Sequence, residues 1–258
     1  MSLDARVIRR LILEQSKRAH VGHIGSALAI ADIIATVYGD VLEPGSDRFV
    51  LSKGHAALAL YIALHLTGAL SENDLDTYCA DATTLGVHPE AHLPGVEFST
   101  GSLGHGLSIG AGCALAGRMR HTDDRVFVLM SDAECNEGSS WEAVMFAAHH
   151  RLANLIAIVD CDRQQALGFT RDVLDLSPLA PRWRAFGWDA HEVNGHDTGA
   201  MKRAFDSFAT GEGAPHVLIA NTTFGKGVSF MESQIRWHYL PMSDAEFAAA
   251  MAEVDAAQ

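Results

Sequence analysis

SDAECNEGSSWEAVMFAAHHRLANLIAIVDCD, residues 131–162, carries an acid near each end of a strand-helix-strand pattern. It follows the apolar run RVFVLM (125–130) and contains a second, LIAIVD (155–160), close to its end. Neither run alternates apolar with polar residues, as strands buried on one face do, so both are expected to be covered on two faces. Between them, SSWEAVMFAAHHRL has the length of a crossover helix, and such crossovers join parallel strands. Working outward, RFVLS (48–52) and HVLIAN (216–221) are further strands, with helices in KGHAALALYIALHLTG (53–68) and DTGAMKRAFDSFA (197–209). The ordering predicts an α/β fold, a mainly parallel sheet with helices on both faces.

In such a sheet the strand RVFVLM delivers Asp132 at its end, and the next parallel strand delivers Asp162. Small Ala133 and the helix start near Asn136–Ser139 would add free backbone N–H groups to the same crevice. Two carboxylates and retained waters suit Mg²⁺, whose remaining ligands are commonly phosphate oxygens. Helix capping or a solvated loop accounts for the two acids equally well on this pattern alone.

The chain has 258 residues, 48% of them hydrophobic, enough for one domain spanning 1–258 with a substantial core. Its formal charge of -13 excludes the basic excess expected of a binder of nucleic acid or anionic membrane. Four cysteines without a CxxC pair suit a reducing compartment, and the N-terminus has no signal-like apolar core, so a cytoplasmic location is expected. Leu3, Val7, Leu11 and Ile12 mark one face of a first helix, and SALAIADIIATVYG (26–39) reads as a second, with GHIGS a loop between them. Residues 71–100 are turn-rich, and STGSLGHGLSIGAGCALAGRMR (99–120) is a glycine-rich turn opening a small-residue helix. Ser243 followed by Glu246 is a capping pattern for a final helix.

The opening stretch closely resembles the thiamine diphosphate motif of the transketolase family, G-D-G followed about thirty residues later by N. GHIGSALAIADI, DRFVLSKGHAALALYIALHLTG, HPEAHLPGVEFSTGSLGHGLSIGAG and NTTFGKGVSFMESQIRWHY resemble successive blocks of the same family, in family order over nearly the whole chain. The resemblance implies that Asp132, Asp162 and the carbonyl of Gln164 bind Mg²⁺, or Ca²⁺ or Mn²⁺ in its place. It implies that Ala133 offers its N–H to the diphosphate and that Gly101, Ser102 and Leu103 touch the cofactor. Glu137 matches an acid that faces, across the subunit interface, the glutamate activating the aminopyrimidine. His23, His55, His88 and His238 match the funnel above the cofactor, with His55 and His238 also in reach of the diphosphate. His105 stands where glutamine is frequent, while His20, His149 and His150 are read as structural.

Two positions depart from the pattern: Ser131-Asp132-Ala133 replaces G-D-G, and Asp162 replaces N. Alanine would strain a turn that needs positive φ, and aspartate adds negative charge beside the metal and diphosphate. The resemblance covers only the diphosphate-binding part of a full transketolase. It therefore implies a partner chain with the pyrimidine-binding domain, an α2β2 heterotetramer, and ketol transfer between small sugars or sugar phosphates. Another thiamine diphosphate C–C ligase, deoxyxylulose-phosphate synthase-like or acyloin-forming, and a non-catalytic regulatory paralogue are the alternatives.

Overall fold

The computed structural model describes residues 2–256 apart from Thr210 and Glu212. Its five-stranded sheet comprises β1 (Arg48–Leu51), β2 (Val126–Ser131), β3 (Leu155–Cys161), β6 (Asp189–Asn194) and β7 (His216–Asn221). A separate antiparallel hairpin pairs β4 (Gln164–Gln165) with β5 (Gly168–Phe169). The main sheet runs β1-β2-β3-β7-β6, and every neighbouring pair is parallel. All its strands therefore point their carboxyl ends at one edge, where ligands of open α/β sheets bind.

Helices cover both faces. In chain order they are α1 (Ala5–Ala19), α2 (Ile24–Ala29), α3 (Ala31–Thr36), α4 (Ala57–Leu66), α5 (Glu72–Leu75) and α6 (Gly106–Arg120). There follow α7 (Gly138–His149), α8 (Thr170–Val173), α9 (Leu179–Ala185), α10 (Thr198–Ser207), α11 (Arg236–Tyr239) and α12 (Asp244–Ala256). Phe127, Leu129, Ile156 and Ile158 join the core beneath α1, α3 and α4. Their sequence neighbours Val126, Val128, Leu155 and Ala157 join the opposite core beneath α6, α7 and α9. Two apolar layers explain the missing alternation: each strand residue meets a helix whichever way it points. Among the described residues no helix is long and apolar enough to cross a membrane.

Several elements differ from the sequence reading. The buried side of α1 is carried by Ile8, Ile12 and Leu13, while Val7 is exposed, so the stripe is turned by one residue. The second helix starts earlier, at Ile24, and is divided at Ile30 before a π turn over Val37–Val41. β6 escapes notice because DAHEVN is a polar edge strand that pairs only with β7. The final helix is capped as expected: the Ser243 N–H donates to Glu246 at 2.8 Å, and the Glu246 N–H donates to the Ser243 hydroxyl at 3.3 Å.

One glycine controls how closely the site's loops approach. A Cβ at Gly54, after β1, would lie 2.8 Å from the Thr100 carbonyl, in the segment leading into Gly101. Gly54→Ala should force these backbones apart and cost about 1–3 kcal/mol. Urea unfolding measures it; an unchanged midpoint would show that the loops are not packed as described.

Candidate active site

The two acids lie where the strand ends predict. After β2 the Asp132 N–H donates to the Asp160 carbonyl at 3.0 Å, and the chain then turns through Ala133–Asn136 into α7. The Asp132 carboxylate accepts the Ala133 N–H at 2.9 Å and the Arg163 N–H at 3.1 Å. It thereby ties the β2 turn to the residue following Asp162. Asp162 in turn accepts the Gln164 N–H at 2.8 Å. Burial, reinforced by Asp160, pushes Asp132 up to about 7. Burial and Asp160 also hold Asp162 well above the usual carboxylate range, although Lys53 opposes them. Two adjacent acids that resist ionisation are short of positive charge, the condition a cation relieves.

A cavity of about 250 Å³ opens here, lined by Ala133, Glu137, Asp162 and Gln164. His23, His55 and His238 line it as well, with Gly101 and Leu103. The three imidazoles form a triangle, with ring centres 5.6 Å (His23–His55), 5.1 Å (His23–His238) and 5.4 Å (His55–His238) apart. Phe224 stacks on His238 at 6.1 Å. Burial depresses all three histidines: His55 lies well below its ordinary value, His238 falls to about 4, and His23 is also lowered. Neighbouring positive charge adds to the effect, so near neutral pH the rings are uncharged and can each donate or accept a hydrogen bond. The Nδ1 atoms of His23 and His238 are buried without a partner among the described residues.

Not every expected residue lines this cavity. His88 and Ser102 border an adjoining cleft that shares Gly101. Gly101 separates the two spaces, and a Cβ there would come 3.0 Å from the His88 ring. Asp132 lies beneath the cavity surface, 7% exposed. Glu137 is exposed at the start of α7 and caps nothing with its side chain.

Residues 2–255 match the family described as transketolase, thiamine diphosphate binding domain. The chain belongs to the transketolase family. It is 39% identical over 262 residues to one subunit of the apulose-4-phosphate transketolase of Phocaeicola vulgatus, covering 98% of this chain and 93% of that one. To the 6-deoxy-6-sulfo-D-fructose transketolase subunit SqwG of a Clostridium species it is 38% identical, covering 98% and 95%. It superimposes on the transketolase of Campylobacter jejuni with a TM-score of 0.90 at 29% identity, over 97% of this chain but only 42% of that one.

Against the transketolase pattern, the alanine at 133 is accommodated: it sits in a right-handed turn at negative φ, so its methyl group meets no left-handed strain. Three buried polar groups at or near the cavity went unnoticed in the sequence. Lys53 and Asp160 are fully buried and paired at 2.5 Å, and the Thr222 hydroxyl donates to the other Asp160 oxygen. Glu134, also fully buried, accepts the Ser52 hydroxyl and the Gly104 N–H, the latter at 2.8 Å. Ser52 itself accepts the Gly106 N–H at 3.0 Å. Glu134 thus fastens the glycine loop to the β2 turn and to the end of β1. The available signal was a charged residue inside an apolar strand end, IVD, and another beside the glycine in SKGH.

The histidine triangle has a stability signature. A histidine depressed on folding binds protons more readily in the unfolded chain, so its contribution is lost as pH falls from about 6.5, towards about 4 for His238. Asp132, Asp162 and Glu134, all raised by burial, act in the opposite sense. The informative quantity is therefore a difference: between pH 6.5 and 4.5, His238→Gln should lose less stability than the parent. Urea midpoints across that range check it, and parallel curves would contradict the buried neutral imidazole.

Proposed function

We propose that this chain is the diphosphate-binding half of a two-chain transketolase, moving a two-carbon ketol unit from a ketose to an aldehyde with thiamine diphosphate and Mg²⁺. The observation that carries the reading is a strand-end cavity lined by Asp162 and three uncharged histidines, with the second cation-deficient carboxylate, Asp132, buried behind it. The residues fit the cofactor. Asp132, Asp162 and the Gln164 carbonyl would hold the cation, and the Ala133 turn and Gly101–Leu103 loop would flank the diphosphate. Among the described residues no three His, Cys, Asp or Glu side chains form a ready metal cage. That agrees with Mg²⁺, which takes one or two carboxylates and completes its shell with water and phosphate oxygens.

When bound, thiamine diphosphate supplies the electron sink for breaking and making a carbon–carbon bond beside a carbonyl. This chain's residues orient the sugar. The unpartnered Nδ1 atoms of His23 and His238 would bond ketose hydroxyls, and His55, the third corner of the triangle, would add an uncharged imidazole that donates or accepts a hydrogen bond. His88, beyond Gly101, would meet the part of the sugar reaching into the adjoining cleft. Glu137, exposed at the rim, would face the partner chain.

The need for a partner is supported by length: the chain spans 93% of a relative named as one subunit of a transketolase and 42% of a transketolase chain. The remaining domains would come from a C-terminal subunit in an α2β2 assembly. The substrates named for the two relatives, apulose 4-phosphate and 6-deoxy-6-sulfo-D-fructose, support a ketose carrying an anionic group. The test is reconstitution. With the complementary chain, Mg²⁺ and thiamine diphosphate, cofactor binding should be saturable and metal-dependent, and a two-carbon unit should pass from ketose to aldehyde. Absence of such binding rejects the proposal; binding followed by a different acyloin product would reassign the reaction to another C–C ligase.

A further inference from the structure

Lys53 is the one lysine or arginine among the buried described residues, in a chain of formal charge -13. Its partner Asp160 is wholly enclosed. Burying an ion pair commonly costs as much as the attraction returns, so the pair contributes little to the fold compared with an apolar replacement. A ligand-related role is indicated by where Lys53 sits. It borders the same cavity as Asp162, and its charge acts on Asp162 and Asp132 as well as on Asp160. Three buried carboxylates thus converge on one fixed cation, a deficit that one divalent metal ion neutralises before an anionic diphosphate enters. Without Lys53 the metal would leave a net negative site facing the phosphates. With asparagine at 162 the lysine would be in surplus.

We propose that Lys53 is the charge-balancing group that permits an aspartate at position 162, keeping the metal-loaded cavity receptive to a diphosphate. This rests on the function proposed above and goes further, because it couples two residues outside the reacting atoms. The coupling is electrostatic: the total charge around the metal decides affinity, and no direct bond from Lys53 to phosphate is needed.

Calorimetric titration of the chain reconstituted with its complementary partner, using thiamine diphosphate in saturating Mg²⁺ and then inorganic pyrophosphate as probe, tests it. Lys53→Met should weaken both ligands by roughly 10–100-fold, the range for groups that support metal ligands. Lys53→Met with Asp162→Asn should recover most of that loss, although it repairs no contact of Asp160. Should Lys53→Met alone fail to fold, Lys53→Met with Asp160→Asn removes both charges of the buried pair and restores the parent's net charge. That variant should bind within a few-fold of the parent. Either double variant remaining as weak as Lys53→Met overturns charge balance and makes Lys53 a direct phosphate ligand or a purely structural residue. A parent that binds neither probe would reject the cofactor reading itself, an outcome distinct from loss of coupling.

Discussion

Asp132→Ala should weaken Mg²⁺-dependent binding of thiamine diphosphate by at least about 100-fold, the upper range for groups supporting a metal and less than the loss expected for a ligand itself. Two effects combine. The substitution removes a carboxylate from the proposed metal shell, and it frees the Ala133 and Arg163 N–H groups that Asp132 holds at 2.9 and 3.1 Å. Asp132→Asn separates them in part, because its single amide oxygen keeps one of the two N–H bonds, which end on different carboxylate oxygens, while the charge is gone. It should cost less stability than Asp132→Ala and still lose most of the affinity. Asp162→Asn should preserve affinity or improve it, since the oxygen donor stays and the cavity becomes less negative. Calorimetry with and without Mg²⁺ reads all three. An unchanged dissociation constant in both the Asp132 and Asp162 variants would reject the metal assignment.

Asp160→Ala should produce the largest loss of stability, roughly 3–5 kcal/mol, because it removes the one carboxylate bonded to the buried Lys53 ammonium. Lys53 is 1% exposed, so its ammonium is little solvated once its bonded partner is removed. The Thr222 hydroxyl, which donates to Asp160, would lose its acceptor as well. Adding Lys53→Met to the Asp160→Ala chain should return much of that stability, since the uncompensated charge is then absent. Urea unfolding of the single and double variants measures the coupling. A loss below about 1 kcal/mol for Asp160→Ala would mean that the ammonium finds another partner or water, and that the site's floor is looser than described.

What the sequence disclosed and what it concealed follow from one difference. Doubly buried strands announce themselves as unbroken apolar runs, so β2, β3 and β7 were legible, and with them the positions of Asp132 and Asp162 at one edge. β6 was not, because an edge strand needs no apolar run and its residues are half exposed. The short helices α8 and α11 carry too few residues for a period to show. In the site, His23, His55 and His238 were identifiable only through family resemblance, since their meeting depends on segments more than thirty residues apart. The buried polar groups at or near the cavity are a different case. Lys53, Glu134 and Asp160 lie beside recognised motif residues, but a charged residue next to a glycine turn reads as solvated until its burial is known. Ala133 shows the reverse: its identity suggested strain, and the negative φ of the turn removes it.

The central claim is that Asp132 and Asp162 share one divalent cation with the diphosphate of thiamine. The direct measurement is anomalous diffraction from crystals of this chain with its complementary partner, grown with Mn²⁺ and thiamine diphosphate. A single manganese peak is expected within roughly 2.0–2.6 Å of a carboxylate oxygen of each aspartate and of the Gln164 carbonyl. A cofactor bound with manganese elsewhere, or with the peak touching only one of the two aspartates, would contradict the account.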